Sequence, residues 1–184
     1  MRLLIGATIL FAAISGCSSI PRADVRSSRP LSVSLDVAPG YGNALYLPVP
    51  DGPLDLVVVR AQASPTKKWG PTFFLSYYSE KRDVSYYLYI FEDLALKKMR
   101  AQTRLYEGTK SDPISTKTYA QAYDLNHRFR VRSVLTAKKV TFYVDEQLIG
   151  TQQLLDEPKF VELGGSSGTF NISLISPPPP PAPE

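Results

Sequence analysis

From Leu31 onward the chain alternates with a period of two. Leu31, Val33, Leu35 and Val37 fall on one side, Ser32, Ser34 and Asp36 on the other. That period predicts a half-buried strand. Leu54–Ala63 is Val-rich and apolar on both faces at its centre, as a fully buried strand is. Thr72–Ser79 and Val84–Phe91 are aromatic and β-branched, and the polar residues between them predict a hairpin loop. Leu96–Tyr106 alternates less cleanly, and its approach allows a short helical turn at Glu92–Lys98. In Arg128–Leu135, residues Phe129, Val131, Ser133 and Leu135 oppose Arg128, Arg130 and Arg132. Lys139–Val144, Leu148–Leu154, Lys159–Leu163 and Thr169–Ile175 complete the series, with Gly and Pro mostly between the runs. About ten short strands over residues 31–176 predict one all-β domain, an antiparallel β-sandwich or barrel.

The ends of the chain read differently. Arg2 precedes the apolar run Leu3–Ala13. That run is too short to span a bilayer, which takes about twenty residues, and it suits a secretory signal. Directly after it, Ile14-Ser15-Gly16-Cys17 resembles the lipobox of bacterial lipoproteins. The resemblance implies removal of residues 1–16 and lipid attachment at Cys17, which would hold the protein on a membrane. In that family an Asp after the Cys favours inner-membrane retention. Ser18 stands there, so in a Gram-negative host the resemblance implies the outer membrane. Residues 17–30 are polar after the Cys, carry Arg22, Arg26 and Arg29, and read as a flexible tether. Residues 177–184 (PPPPPAPE) read as a polyproline II tail.

Composition narrows the chemistry. The net charge is +4 and no long Lys/Arg block occurs, which argues against a nucleic-acid partner. Cys17 is the only Cys, so no intramolecular disulfide can form. With one His besides, no His/Cys zinc site can be assembled.

The segment Val140–Gly150 (VTFYVDEQLIG) resembles a hairpin of concanavalin A-like jelly rolls, the group of laminin-G modules, legume-type lectins and laminarinase-type glucanases. Trp69–Leu75 resembles an inner strand of the same group. The resemblance implies a jelly-roll sandwich with strand, turn and strand around Asp145–Leu148. Glu146-Gln147 stands where the group usually has a Gly. Relatives use calcium, which loop Asp and Asn oxygens could ligate here as well, but no ligand cluster is legible and no cofactor is assigned.

The group's glucanases need two carboxylates on one strand face, about 5–5.5 Å apart. Glu92-Asp93, Asp145-Glu146 and Asp156-Glu157 are adjacent pairs, which a strand would point to opposite faces. A lyase would need Tyr, His and Arg together. Tyr123, His127 and Arg128–Arg132 supply the types, yet alternation sets His127 with Phe129 and away from the arginines. No catalytic residue is assigned.

Binding chemistry is better represented. Tyr77, Tyr87 and Tyr89 lie on two consecutive strands, and their rings could stack on sugar rings. The plainer reading is that tyrosines are good strand formers. Arg128, Arg130 and Arg132 form a stripe that acidic neighbours, an anionic polysaccharide or an acidic protein would balance. Trp69 is a further anchor or a core-edge residue. The sequence thus predicts a non-catalytic outer-membrane lipoprotein. Its first expected role is an assembly component binding an envelope protein. The alternative is a carbohydrate-binding module for cell-wall or surface glycan, and a glycan hydrolase or lyase comes third.

Overall fold

The computed structural model describes residues 32–62, 66, 68–108 and 111–175. Cys17 with its lipobox, the tether, Leu31 and the proline tail lie outside these residues.

Ten strands follow in chain order. They are β1 (Ser32–Pro48), β2 (Leu54–Gln62), β3 (Thr72–Ser79), β4 (Val84–Asp93) and β5 (Lys98–Glu107), then β6 (Ser115–Tyr123), β7 (Arg128–Leu135), β8 (Lys139–Val144), β9 (Gln147–Gln153) and β10 (Phe160–Leu174). Every pairing is antiparallel.

β10 organises the molecule. Its first half, Phe160–Ser166, pairs with β3, and its second half, Thr169–Leu174, pairs with β2. β1 follows its other edge along both halves. Two layers result. The first runs β6-β5-β4-β3-β10-β1, the second β9-β8-β7-β2-β10-β1. The strands therefore form one curled jelly-roll sheet.

The layers face each other through the apolar sets that alternation defines. Phe73, Leu75 and Tyr77 of β3 and Tyr86, Leu88 and Ile90 of β4 meet Leu56, Val58, Phe129, Val131 and Phe142 of the second layer in one buried core. Burying each such side chain contributes roughly 1.5–3 kcal/mol of transfer free energy.

Three sequence expectations need correction. Lys159–Leu163 and Thr169–Ile175 are parts of one strand, because Gly164-Gly165-Ser166-Ser167-Gly168 carries β10 from one layer to the other. Glycine is needed there for close approach. A Cβ on Gly164 would lie 2.0 Å from Cζ of Phe74, and one on Gly168 would lie 2.9 Å from Cβ of Pro71. Second, β6 was not anticipated, since most of its residues are exposed and no apolar alternation marks it. Third, Glu92–Lys98 forms no helical turn. β4 runs to Asp93, whose Oδ1 accepts the amides of Ala95 and Leu96, each at 3.1 Å, closing a tight turn into β5.

Candidate functional site

The outer face of the first layer carries the largest concentration of polar aromatic chemistry. Strand register places its residues in rows. One row reads Tyr46, Glu162, Ser76, Tyr87, Arg104 and Thr116, across β1, β10, β3, β4, β5 and β6. The neighbouring rows supply Phe74, Tyr89 and Gln102 on one side, and Phe160, Tyr78, Ser85 and Tyr106 on the other. Six strands at about 4.8 Å spacing make each row roughly 24 Å long.

Glu162 sits among these rings, half-buried. Ser76 Oγ donates to its Oε2 at 3.0 Å, and the Tyr46 hydroxyl also hydrogen-bonds it. No cation pairs with it among the described residues. Burial pushes its carboxyl above the ordinary glutamate range, and the two hydroxyls only partly offset this.

The rings are ordered by one another. Tyr87 and Tyr89 stack at 5.0 Å between centroids with 14° between planes. Phe74 packs on both, at 5.7 and 6.1 Å, and Tyr106 meets Tyr87 edge-on at 5.5 Å. The Arg104 guanidinium lies 5.2 Å over the Tyr89 ring and donates to the Tyr106 hydroxyl at 3.0 Å. Burial raises the phenols of Tyr87 and Tyr89, so both hydroxyls are protonated donors at neutral pH.

The carboxylate inventory of this face bears on catalysis. Residues two and five positions beyond Glu162 are Gly164 and Ser167. Along the line of β4 the flanking carboxylates are Asp83, four residues before Tyr87 and accepting from the Tyr78 hydroxyl at 3.0 Å, and Asp93, six residues after Tyr87. Asp93 is held low by the turn amides and by Arg100. β10 therefore presents no second carboxylate on the face that carries Glu162.

The expected site residues are not one face. Tyr87 and Tyr89 belong to the surface just described. Tyr77 does not. It is fully buried, its hydroxyl is 2.7 Å from that of Ser133, and burial pushes its phenol up to about 12. Its parity on β3 sets it with Phe73 and Leu75, so it is a core residue.

Arg128, Arg130 and Arg132 line the outer face of the second layer, across the sandwich from the tyrosines. Acidic neighbours largely balance them. Arg130 Nη1 donates to Glu146 at 2.9 Å. Arg132 stands 3.4 Å from Asp55, a charge contact rather than a directed hydrogen bond. Arg130 and Arg132 line an open depression of about 370 Å³ with Val134, Tyr143 and Glu146.

Trp69 lies at neither face. It is half-exposed at the end of the sandwich, with Lys68 Nζ 5.2 Å above its ring. His127 hydrogen-bonds Asp145 at 2.7 Å and packs on Phe129 at 4.7 Å. Among the described residues no group of three metal-ligating side chains occurs.

Glu162, Arg104, Tyr46 and Tyr106 were missed by sequence reasoning. The signal for Glu162 was a lone acid among the apolar residues Phe160, Val161 and Leu163.

No family model matches the sequence, and no curated protein sequence matches it. Solved structures do match the fold. A Crh5 transglycosylase in complex with NAG aligns at a TM-score of 0.54 and 11% identity, covering 81% of this chain and 74% of that one. A structure described as an endo-acting O-glycanase of the human gut microbiota aligns at 0.50 and 12% identity, covering 79% and 76%. A Bacillus licheniformis β-glucanase aligns at 0.49 and 16%, covering 79% and 75%. The fold is an all-β jelly roll of the concanavalin A-like lectin and glucanase type.

Proposed function

We propose that this protein is a non-catalytic glycan-binding module that uses the outer face of its first layer. The observation that carries the proposal is Glu162, a half-buried carboxylate with no cation, set among tyrosine rings. A carboxylate in that setting has acceptor capacity beyond the Ser76 and Tyr46 hydroxyls. Sugar hydroxyls are uncharged donors and suit it. An acidic sugar would be repelled at that position. Tyr87, Tyr89 and Tyr106 add ring faces and hydroxyls, and Arg104 adds donors beside them. The absence of a second carboxylate on Glu162's own strand, where paired acids would share a face, supports binding without cleavage. The lipobox-like Ile14–Cys17 run supports placing the module on an outer membrane by a lipid at Cys17.

The Crh5 structure of the same fold was solved with NAG. By analogy only, β-linked NAG oligomers are the first soluble probe. The test is titration calorimetry with these oligomers, beside co-sedimentation with cell-wall sacculi. The paired change Tyr87→Ala/Tyr89→Ala is expected to weaken binding at least tenfold, and Glu162→Gln severalfold. Undiminished binding by both variants would remove this face as the site. Shortening of the glycan during the assay would reopen catalysis.

A second reading keeps the envelope protein partner expected first from sequence. It rests on β1, which among the described residues pairs only with β10 and leaves its other edge open. Its half Gly42–Pro48 has no charged residue to discourage strand addition.

A further inference from the structure

At one end of the sandwich the chain departs from its regular ladder in four places that come together. The pairing of β1 with β10 breaks between Val37 and Gly42. In that break Gly40 takes a φ of 79°, and its amide donates to Ser167 Oγ at 3.0 Å, where Ser167 itself has a φ of 56°. The indole of Trp69 lies against Gly40, with Nε1 3.6 Å from where a Cβ would stand. Gly70, the next residue, packs on the β4–β5 turn. A Cβ there would be 2.7 Å from the Glu92 carbonyl and 3.5 Å from Leu94 Cδ2.

This packing leaves large apolar side chains in solvent. Tyr41 is 71% exposed, Trp69 47%, Leu94 42% and Leu96 55%. They come from the β1 break, the approach to β3 and the β4–β5 turn, which are sequence-distant segments meeting at one tip. Backbone strain and glycine contacts would not be needed merely to leave loops in water. Trp69 beside Gly40 and Leu94 beside Gly70 bring these exposed side chains to the same end of the sandwich, and a cluster of exposed apolar residues of this kind marks an interaction site.

The charges at the tip indicate what it meets. Lys68 and Lys97 have no acidic partner among the described residues. The nearby acids are engaged. Arg60 donates to Glu92 at 2.7 Å, Asp93 is taken by turn amides and Arg100, and Asp36 accepts from Thr169 at 2.8 Å. Trp and Tyr at the periphery, leucines between them and free lysines beside them form the composition that sits at a bilayer interface. Lysines near an anionic surface each strengthen partition by roughly fivefold.

We propose that this tip, formed by Tyr41, Trp69, Leu94, Leu96, Lys68 and Lys97, inserts into the interfacial region of an anionic lipid bilayer. The contact is separate from the tyrosine face and does not require a lipid at Cys17. The tip lies beyond the Phe91 end of that face, so the sheet would stand upright on the membrane with its aromatic surface turned sideways.

Trp69 is the only Trp in the chain, so its emission reports on the tip alone. The full-length protein would be mixed with vesicles of two parts phosphatidylcholine to one part phosphatidylglycerol. A blue shift of Trp69 emission and quenching by bromine-labelled lipid tails are expected. Both should weaken severalfold in Tyr41→Ser/Leu96→Ser, which keeps the reporter. Lys68→Gln/Lys97→Gln should reduce the preference for phosphatidylglycerol over phosphatidylcholine alone. Protein that sediments with vesicles while Trp69 emission and bromolipid quenching stay unchanged would overturn the proposal, because residues 3–13 would then account for the binding. A Trp69 shift caused by NAG oligomers, with none caused by vesicles, would overturn it in favour of a sugar site.

Discussion

The raised carboxyl of Glu162 predicts that this residue, once ionised, lowers the stability of its own fold. Its folded pKa lies above the unfolded value near 4.5. Between those two values the native state binds more protons than the unfolded chain, so stability falls as pH rises through that window and stays lower above it. Glu162→Gln removes the ionisable group. Its melting temperature should exceed wild type at about pH 7, and the advantage should disappear below about pH 4, where both states carry a neutral side chain. A constant difference across that range would show that the carboxylate is not the cause. A stabilised Glu162→Gln would mark a residue kept for a reason other than stability, which is the role the proposed glycan site gives it. Tyr77 makes the opposite case. Tyr77→Phe strands the buried Ser133 hydroxyl and should cost about 1–3 kcal/mol in denaturant unfolding. Adding Ser133→Ala should recover part of that loss, because neither partner is then left unsatisfied.

At the level of elements, the β8–β9 hairpin turns through Asp145 and Glu146 with φ values of 50° and 66°. Both lie in the left-handed region that favours glycine. Asp145 is compensated, since its carboxylate accepts the Arg130 amide at 2.8 Å and bonds His127. Glu146 makes only an exposed pair with Arg130, of little worth in water. Glu146→Gly should therefore stabilise by about 1 kcal/mol, near 3 °C in melting temperature, whereas Asp145→Gly should destabilise. Equal effects of the two changes would refute this division of roles. The same hairpin was legible through the resemblance of Val140–Gly150 to a jelly-roll hairpin, with Val140, Phe142 and Val144 marking the buried face of its first strand. Legibility ended where neighbours decide. Gly164–Gly168 looks like a break because it lacks side chains, yet it is strand because Phe74 and Pro71 occupy the space side chains would need. β6 lacks an apolar face to advertise it. Within the site, Tyr87 and Tyr89 could be placed on one face from the parity of β4 alone. Their separation from Arg130 and Arg132 could not be read, since it depends on which layer β7 joins. Glu162, Tyr46 and Arg104 become a row only through a register spanning residues far apart in sequence.

For the whole molecule, β1 and β10 are common to both layers. Deleting residues 1–48 would strip one edge of β10 along both halves and remove Leu35 and Val37 from the core. The truncated chain should lose its single cooperative unfolding transition, as followed by calorimetry. A sharp melt near the wild-type temperature would mean that the remaining strands close without β1. The pairing also sets how the domain responds to load. Ser32 stands opposite Ser173, so the first and last described strands leave the sandwich side by side. Tension applied between those two points would open the ladder bond by bond, like a zip, whereas tension between Ser32 and the tyrosine face must shear many bonds together. The domain should yield under a small force in the first geometry and resist in the second.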